Sequence, residues 1–207
     1  MSFPDALADA WYVLSVLSGR LIRLEPLAIE HAAGYLAAAG TAADAAAVFG
    51  WLSPPSGSAL REPVSLADAE RHIADSLTAR ARGVRFPYAQ LDAVTGEFAG
   101  TTSYYEVNPV QRAIAIGHTW LGKRWWRTGH NTESKLLMLT HAFESLGAVR
   151  VVWHTDIYNE RSQAAIERLG ARKEGVLRNH RIRWDRTWRD TVQYAMADDD
   201  WPADRER

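Results

Sequence analysis

Apolar and polar positions alternate along this chain in blocks that predict short strands between amphipathic helices. Ala113 to Leu121 is a mostly apolar run of strand length, Gly122 to His130 carries turn residues, and Asn131 stands at the expected N-cap of a long helix. In that helix Leu136, Leu139, Phe143 and Leu146 recur at three- and four-residue spacing, and Gly147 offers the left-handed residue that ends it. A second apolar run, Val149 to Asp156, enters a helix that opens with Asn159, Arg161 and Ser162 and closes at Leu169-Gly170. Strand, crossover helix and strand form a right-handed unit, so both strands are parallel and end at the same edge of the sheet.

The remaining blocks fit around this unit. Trp11, Tyr12, Val13, Leu14, Val16 and Leu17 are expected to dock a leader, residues 1–18, on the body. Arg20 to Leu24 alternates as a half-buried strand ended by Pro26, and the alanine-rich stretches Ala28–Ala39 and Thr41–Leu52 are helical by propensity. Ser53 to Ser58 is a loop, expected to be mobile, and Ser65 with Asp68 starts a helix running to about Arg82 with Leu66, Ala69, Ile73 and Leu77 on one face. Val84–Asp92 and Glu97–Val107 predict an antiparallel hairpin about Val94-Thr95-Gly96. Arg172–Arg178 and Thr191–Ala197 predict a second pair, joined by the basic aromatic segment Asn179–Arg189. With no repeat and no linker, residues 19–198 are read as one domain, followed by an acidic tail, residues 199–207.

A loop that enters a helix from a strand gathers several unpaired N–H groups and the positive end of the helix dipole. An anion suits that place, and Lys123, Arg124 and Arg127 nearby suit one with more than one phosphate; a solvated basic face is the plain alternative. With 207 residues, 47% of them hydrophobic, the chain can bury a substantial core. The net charge of −1 argues against a nucleic-acid binder that works through a basic surface. The absence of cysteine excludes a thiol nucleophile and thiolate-held zinc, and His31, His72, His130, His141 and His180 lack metal-ligand spacing, so no metal is expected. No run reaches the roughly 18 apolar residues of a membrane span, and the first residues lack a basic signal flank; a cytoplasmic protein is the expectation.

Gly19-Arg20-Leu21-Ile22-Arg23-Leu24-Glu25-Pro26-Leu27, Gly117 to Leu121, Asn131-Thr132-Glu133, Asn159-Glu160-Arg161-Ser162, Leu169-Gly170-Ala171, Glu174-Gly175 and Arg189-Asp190 follow one another in an order that resembles the GNAT-type N-acetyltransferases. The likeness is to the branch that holds the ribosomal-protein N-terminal acetyltransferases. It implies an α/β fold, a mixed and mostly antiparallel sheet with splayed central parallel strands and flanking helices. It also implies acetyl-coenzyme A as co-substrate and a primary amine, on a protein N-terminus or a small molecule, as acceptor. The family's pyrophosphate loop reads Arg or Gln, two residues, Gly, one residue, Gly or Ala. Aligned on Gly129, the first position here is Trp126 and the last Asn131.

The resemblance assigns coenzyme binding to the backbone of Trp120 and Leu121, to Arg124, Arg127, Thr128, Gly129, His130, Asn131 and Thr132, and to Asn159 on the pantetheine arm. It places the Ser162 hydroxyl near the departing sulfur, where many relatives have a tyrosine. For the general base His118 is preferred, with Glu106, acting through water, second; His154 and Asp156 are further candidates, and an amine of low pKa needs none. Trp120, Trp125, Trp126, Trp184 and Trp188 are read as stacking groups or as core. Arg178, Arg181 and Arg183 either attract an acidic substrate or are solvated. Relatives are often dimers, and a homodimer is open to this chain. The competing reading is a coenzyme A-binding or sensing protein without turnover; an ATP phosphotransferase is disfavoured because no Gly-x-x-x-x-Gly-Lys-Ser/Thr sequence is present.

Overall fold

A computed structural model describes residues 9–52 and 62–201. In chain order the strands are β1 (Leu17–Ser18), β2 (Ile22–Pro26), β3 (Arg85–Asp92), β4 (Phe98–Asn108), β5 (Ala113–Leu121), β6 (Arg150–Asp156), β7 (Arg172–Ile182) and β8 (Trp188–Ala197). The helices are α1 (Ala32–Ala39), α2 (Ala42–Phe49), α3 (Leu66–Ala81), α4 (His130–Thr140, continued by a π turn over His141–Ser145) and α5 (Glu160–Glu167). The strands form one sheet in the order β1-β2-β3-β4-β5-β6-β8-β7, antiparallel throughout except for the central pair β5 and β6.

Each face of the sheet carries its own core. Tyr35, Phe49, Ala69, Ile73, Leu91, Phe98 and Trp120 pack under α1 to α3 on one face. On the other, α4 and α5 cover Ile22, Leu24, Tyr88, Tyr104, Ile114, Ile116 and Tyr194. No single helix among the described residues is long and apolar enough to cross a membrane. The helix starts follow local chemistry: Thr41, Ser65 and Asn159 each accept a backbone N–H from three residues on.

Several boundaries differ from the pattern reading. Helix α4 begins at His130 on an N-cap Gly129 that has no side-chain bond, so Asn131 lies in the first turn rather than at the cap. A Cβ at Gly129 would sit 2.5 Å from the end of the Leu21 side chain, which would have to shift. Leu136 is 39% exposed, and Met138 beside Leu139 is buried in its place. The last two strands are longer than expected, leaving only residues 183–187 to turn between them. Of the leader, Trp11 is in the core and Leu14 and Leu17 pack against it, whereas Tyr12, Val13 and Val16 are exposed. Trp201, expected in a tail, is buried on Phe143 at a ring distance of 5.4 Å. The Ser53–Ser58 loop lies outside the described residues.

Two elements far apart in sequence are tied by one side chain. The Glu133 carboxylate in the first turns of α4 accepts from the backbone N–H groups of Arg20, Leu21 and Ile22 at 3.0, 2.6 and 2.9 Å. A Cβ at Gly19 would meet that carboxylate at 2.5 Å. The glycine at the start of the chain and the glutamate of Asn131-Thr132-Glu133 are thus two halves of one contact that anchors α4 on the sheet edge.

Candidate active site

The parallel pair separates early. Ladder contacts between β5 and β6 run only from Ala113–Ala115 to Arg150–Val152, although β5 continues to Leu121 and β6 to Asp156. The gap opens into a cavity of about 720 Å³ lined by the ends of both strands and the first turns of α4 and α5. The cause is visible on the other side of β5. Thr101 pairs with Trp120 but Ser103 with Gly117, so His118 and Thr119 together face the single residue Thr102. This bulge turns β5 away from β6. Its first residue, His118, is held at a left-handed φ of 49°, a conformation that costs a non-glycine residue roughly 1–2 kcal/mol.

On the α4 side the cavity is lined by cations and a helix N-terminus. Asn131 and Thr132, in the first turn of α4, line it together with Arg127, Arg161 and Arg168. Arg161 stacks over the Trp126 ring at 3.9 Å, and Trp126 in turn donates its indole N–H to the Leu121 carbonyl at 2.8 Å. A planar cation is thereby fixed at the loop position where the family pattern has its own Arg or Gln. Thr128 lines the same wall, its hydroxyl donating to the Trp125 carbonyl at 2.7 Å.

Asn159 caps α5 by accepting the Ser162 N–H at 3.1 Å, which leaves the amide NH₂ of Asn159 as its donor toward the cavity it lines. Ser162 lines the cavity too. Both residues are therefore ordinary capping partners and cavity residues at once.

The opposite wall is polar and aromatic. The Tyr105 hydroxyl and His154 Nδ1 are 2.9 Å apart, and His154 Nε2 meets Gln193 Oε1 at 3.1 Å. Because Gln193 Oε1 can only accept, Nε2 carries the proton and Tyr105 donates to Nδ1. The His118 ring stands edge-on to Tyr105 at 5.3 Å. It is open to the cavity yet walled by protein, and desolvation, reinforced by Arg85, Arg181 and Arg189, holds it well below the usual imidazole range. Burial likewise keeps the Tyr105 hydroxyl above the phenol range, so it remains a donor at neutral pH. Asp156 is buried; desolvation opposes its charge, but bonds from Arg183 at 2.6 and 3.0 Å keep its carboxyl below the usual range.

One residue escaped the sequence pattern. Lys135, on α4, is buried and lines the cavity, and its Nζ donates to Thr102 Oγ1 at 2.7 Å and Thr119 Oγ1 at 2.9 Å. These two threonines face each other across the bulge at 2.9 Å, so the ammonium clamps its two strands together. No carboxylate pairs with it among the described residues, and burial lowers its pKa to about 7. A lysine among Lys135-Leu136-Leu137-Met138 reads as the polar face of a helix, and only the fold shows that this face meets the sheet.

The other candidate residues are placed as follows. Arg124 pairs with Glu97 at 3.0 Å and Lys123 with Asp44 at 3.1 Å, both in a separate cleft of about 600 Å³ bordered by α1 and the β3–β4 turn. The His130 ring is inside the protein, shared between Asp92 at 2.9 Å and Thr128 at 2.9 Å, and does not face the cavity; Gly129 packs on Leu21. The Leu121 carbonyl is taken by Trp126, and the Trp120 carbonyl by the buried Gln90 amide at 3.1 Å. Glu106 is outside the cavity, 3.9 Å from His154 and 3.8 Å from Arg181. Among the described residues no group of three or more His, Cys, Asp or Glu is placed to hold a metal.

A central strand pair parted by a bulge, with a helix N-terminus at the mouth of the wedge, is the architecture that the sequence resemblance implies. The family model of the acetyltransferase (GNAT) domain matches residues 22–172, and the chain belongs to that family. Among curated relatives it is similar to YdaF of Bacillus subtilis, which carries a provisional ribosomal N-acetyltransferase name, at 28% identity over 58% of this chain and 68% of that one. It is also similar to the uncharacterized N-acetyltransferase YoaA of the same organism, at 32% identity over 48% and 54%. A crystal structure of a GCN5-related N-acetyltransferase from Brucella melitensis superimposes with a TM-score of 0.85 at 29% identity, covering 94% of this chain and 83% of that one.

Proposed function

We propose that the protein transfers an acetyl group from acetyl-coenzyme A to a primary amine inside this cavity. The observation that carries the reading is the early end of the β5–β6 ladder, which leaves strand-edge N–H and C=O groups facing a space that a helix N-terminus also faces. The cavity residues suit the ligand. Arg127 and Arg161, with the first-turn amides of α4 at Asn131 and Thr132, would hold the phosphates, and the Asn159 amide would donate to the pantetheine arm. Acetyl-coenzyme A supplies an acetyl group activated as a thioester.

The net exchange forms one N–C bond, breaks one C–S bond and moves one proton from nitrogen to sulfur. The strand-edge N–H groups of β5 would bond the carbonyl oxygen as charge develops on it. Ser162 offers a hydroxyl on the α5 side, whereas the Tyr105 proton is already given to His154 Nδ1. His118 is neutral near pH 7, the state that accepts a proton. For the acceptor, the name of YdaF points to an amine on a ribosomal protein. The hairpin favours a smaller one, because Trp184 Nε1 donates to the Leu52 carbonyl at 2.7 Å and bridges the β7–β8 turn to the end of α2.

Calorimetric titration with acetyl-coenzyme A and with its 3′-dephospho form, followed by thiol release over an amine panel, tests the proposal. Binding plus release supports it. Binding with no release over a broad panel would instead favour the coenzyme A-binding reading, and no binding would remove both.

A further inference from the structure

The final hairpin brings two guanidinium groups to the wall of the cavity. Arg181 and Arg189 face each other across β7 and β8 and both line the cavity. Arg183 is spent on Asp156, which Arg189 also approaches at 3.9 Å. Arg85, bonded to Ser103 at 2.8 Å, stands behind the Gly117–His118 turn and keeps its charge with a pKa of about 10. Of these groups Arg181 and Arg189 line the cavity, where Asp156 is the one lining carboxylate among the described residues and is bonded to Arg183. Glu106 is a weak match for Arg181: the 3.8 Å separation is too long for a hydrogen bond, and the glutamate side chain is 53% exposed. The Arg181 Nε is buried and makes no hydrogen bond among the described residues.

The positive field is felt by the neighbours. Arg181 and Arg189 contribute to holding His118, His154 and His180 uncharged, after desolvation. These groups lie in a continuous row. The His154 ring is 5.8 Å from His180 and its Nδ1 is 2.9 Å from the Tyr105 hydroxyl, whose ring adjoins His118 at the bulge. An acceptor amine that reaches the wedge past Tyr105 therefore has its adjoining atoms beside Arg181 and Arg189.

Resting on the acetyltransferase reading, we propose that the acceptor is an amine bearing a carboxylate close to its nitrogen, held by Arg181 and Arg189. The forked guanidinium matches a carboxylate in shape and charge. A diamine or other polycation would meet the same groups as a repulsive wall. The carboxylate has two sources, the α-carboxylate of a free amino acid or an acidic side chain next to a peptide N-terminus.

The test measures thiol release from acetyl-coenzyme A with matched acceptors: glycine and aspartate against their amides, an Asp-containing N-terminal peptide against its Asn twin, and a short diamine. The carboxylate-bearing member of each effective pair should lead in kcat/KM by roughly ten- to hundredfold, the range for a hydrogen bond to a charged group. Arg181→Gln should abolish that lead through KM, and Arg181→Lys should restore part of it; a purely structural Arg181 would leave the ratio within the pair untouched. Preference for the amino acids or for the peptide identifies the source. Equal or better turnover of the amides or the diamine, or a lead that survives both Arg181→Gln and Arg189→Gln, would overturn the proposal and leave the acetyltransferase reading standing. No thiol release from any member, by protein that binds acetyl-coenzyme A in the calorimeter, would overturn both.

Discussion

His130 and Lys135 are buried on the same helix, five residues apart, and they illustrate opposite uses of a buried polar group. The His130 ring meets the Asp92 carboxylate at 2.9 Å, and Asp92 further accepts from Val94 N, Thr95 N and the Thr95 hydroxyl. The bond from His130, followed by those from Thr95, holds the Asp92 carboxyl well below the usual range. Every partner is supplied, and the group is turned away from the cavity. Lys135 has two threonine hydroxyls and no counter-charge, and it lines the cavity. The difference teaches where to look for function: the complete network ties α4 to the β3–β4 turn, whereas the incomplete one sits where β4 and β5 bulge to open the site.

The largest expected effect breaks the complete network. Asp92→Asn should destabilise the fold by about 1.5–3 kcal/mol in urea unfolding, the range for hydrogen bonds to a charged group, while kcat/KM of the folded protein at low temperature changes little. The sign with pH follows. A carboxyl whose folded pKa is depressed stabilises fully above its unfolded value, so wild-type protein should lose this contribution in acid, as pH falls through the folded pKa. Asp92→Asn should show a flatter acid limb.

The second effect sharpens the contrast from the other side. Lys135→Met removes a buried charge that has no counter-ion, so stability should hold or rise, whereas kcat/KM should fall about 100-fold because the clamp on the bulge is lost. Equal stability and full activity in this variant would make Lys135 a bystander. The pH dependence again has a definite sign. The folded pKa of about 7 lies below the unfolded value near 10.4, so between them the unfolded chain binds more protons and wild-type stability should climb with pH relative to Lys135→Met. A stability difference that stays flat from pH 7 to 10 would contradict the depressed value.

The smallest effect concerns a residue that is both cap and wall. Asn159→Ala should cost about 1 kcal/mol of stability through the lost bond to Ser162 N, and it should also weaken acetyl-coenzyme A binding measured by calorimetry. Asn159→Asp separates the two roles, since it keeps the acceptor for the cap and removes the amide donor facing the cavity.

Much of the frame was legible. The runs Ala113–Leu121 and Val149–Asp156, the caps at Ser65 and Asn159, and the glycine stops at Gly147 and Gly170 fall where hydrophobic spacing and local backbone chemistry placed them. Such features depend on near neighbours in the chain, so a linear reading finds them. The site was legible in part: Asn131, Thr132, Asn159, Ser162, Arg127 and His118 all reach the cavity. Arg124 and Lys123 stand in the other cleft, each bound to a carboxylate from another element, Glu97 and Asp44. Arg161 was visible only as part of a motif, since its partner Trp126 lies 35 positions away in sequence and comes near only when α5 packs beside the loop.

The sequence by itself determined the elements, their order and the chemistry available at the carboxyl ends of β5 and β6, because periodicity, capping and turn residues act over one or two helical turns. Tertiary structure alone decided which of those groups are paired off and which are left facing the cavity. Whether a cation is solvated, neutralised or held uncompensated depends on what other elements bring within a few ångströms of it. For His130 that was Asp92, 38 residues earlier, and for Lys135 it was two threonines and no acid at all.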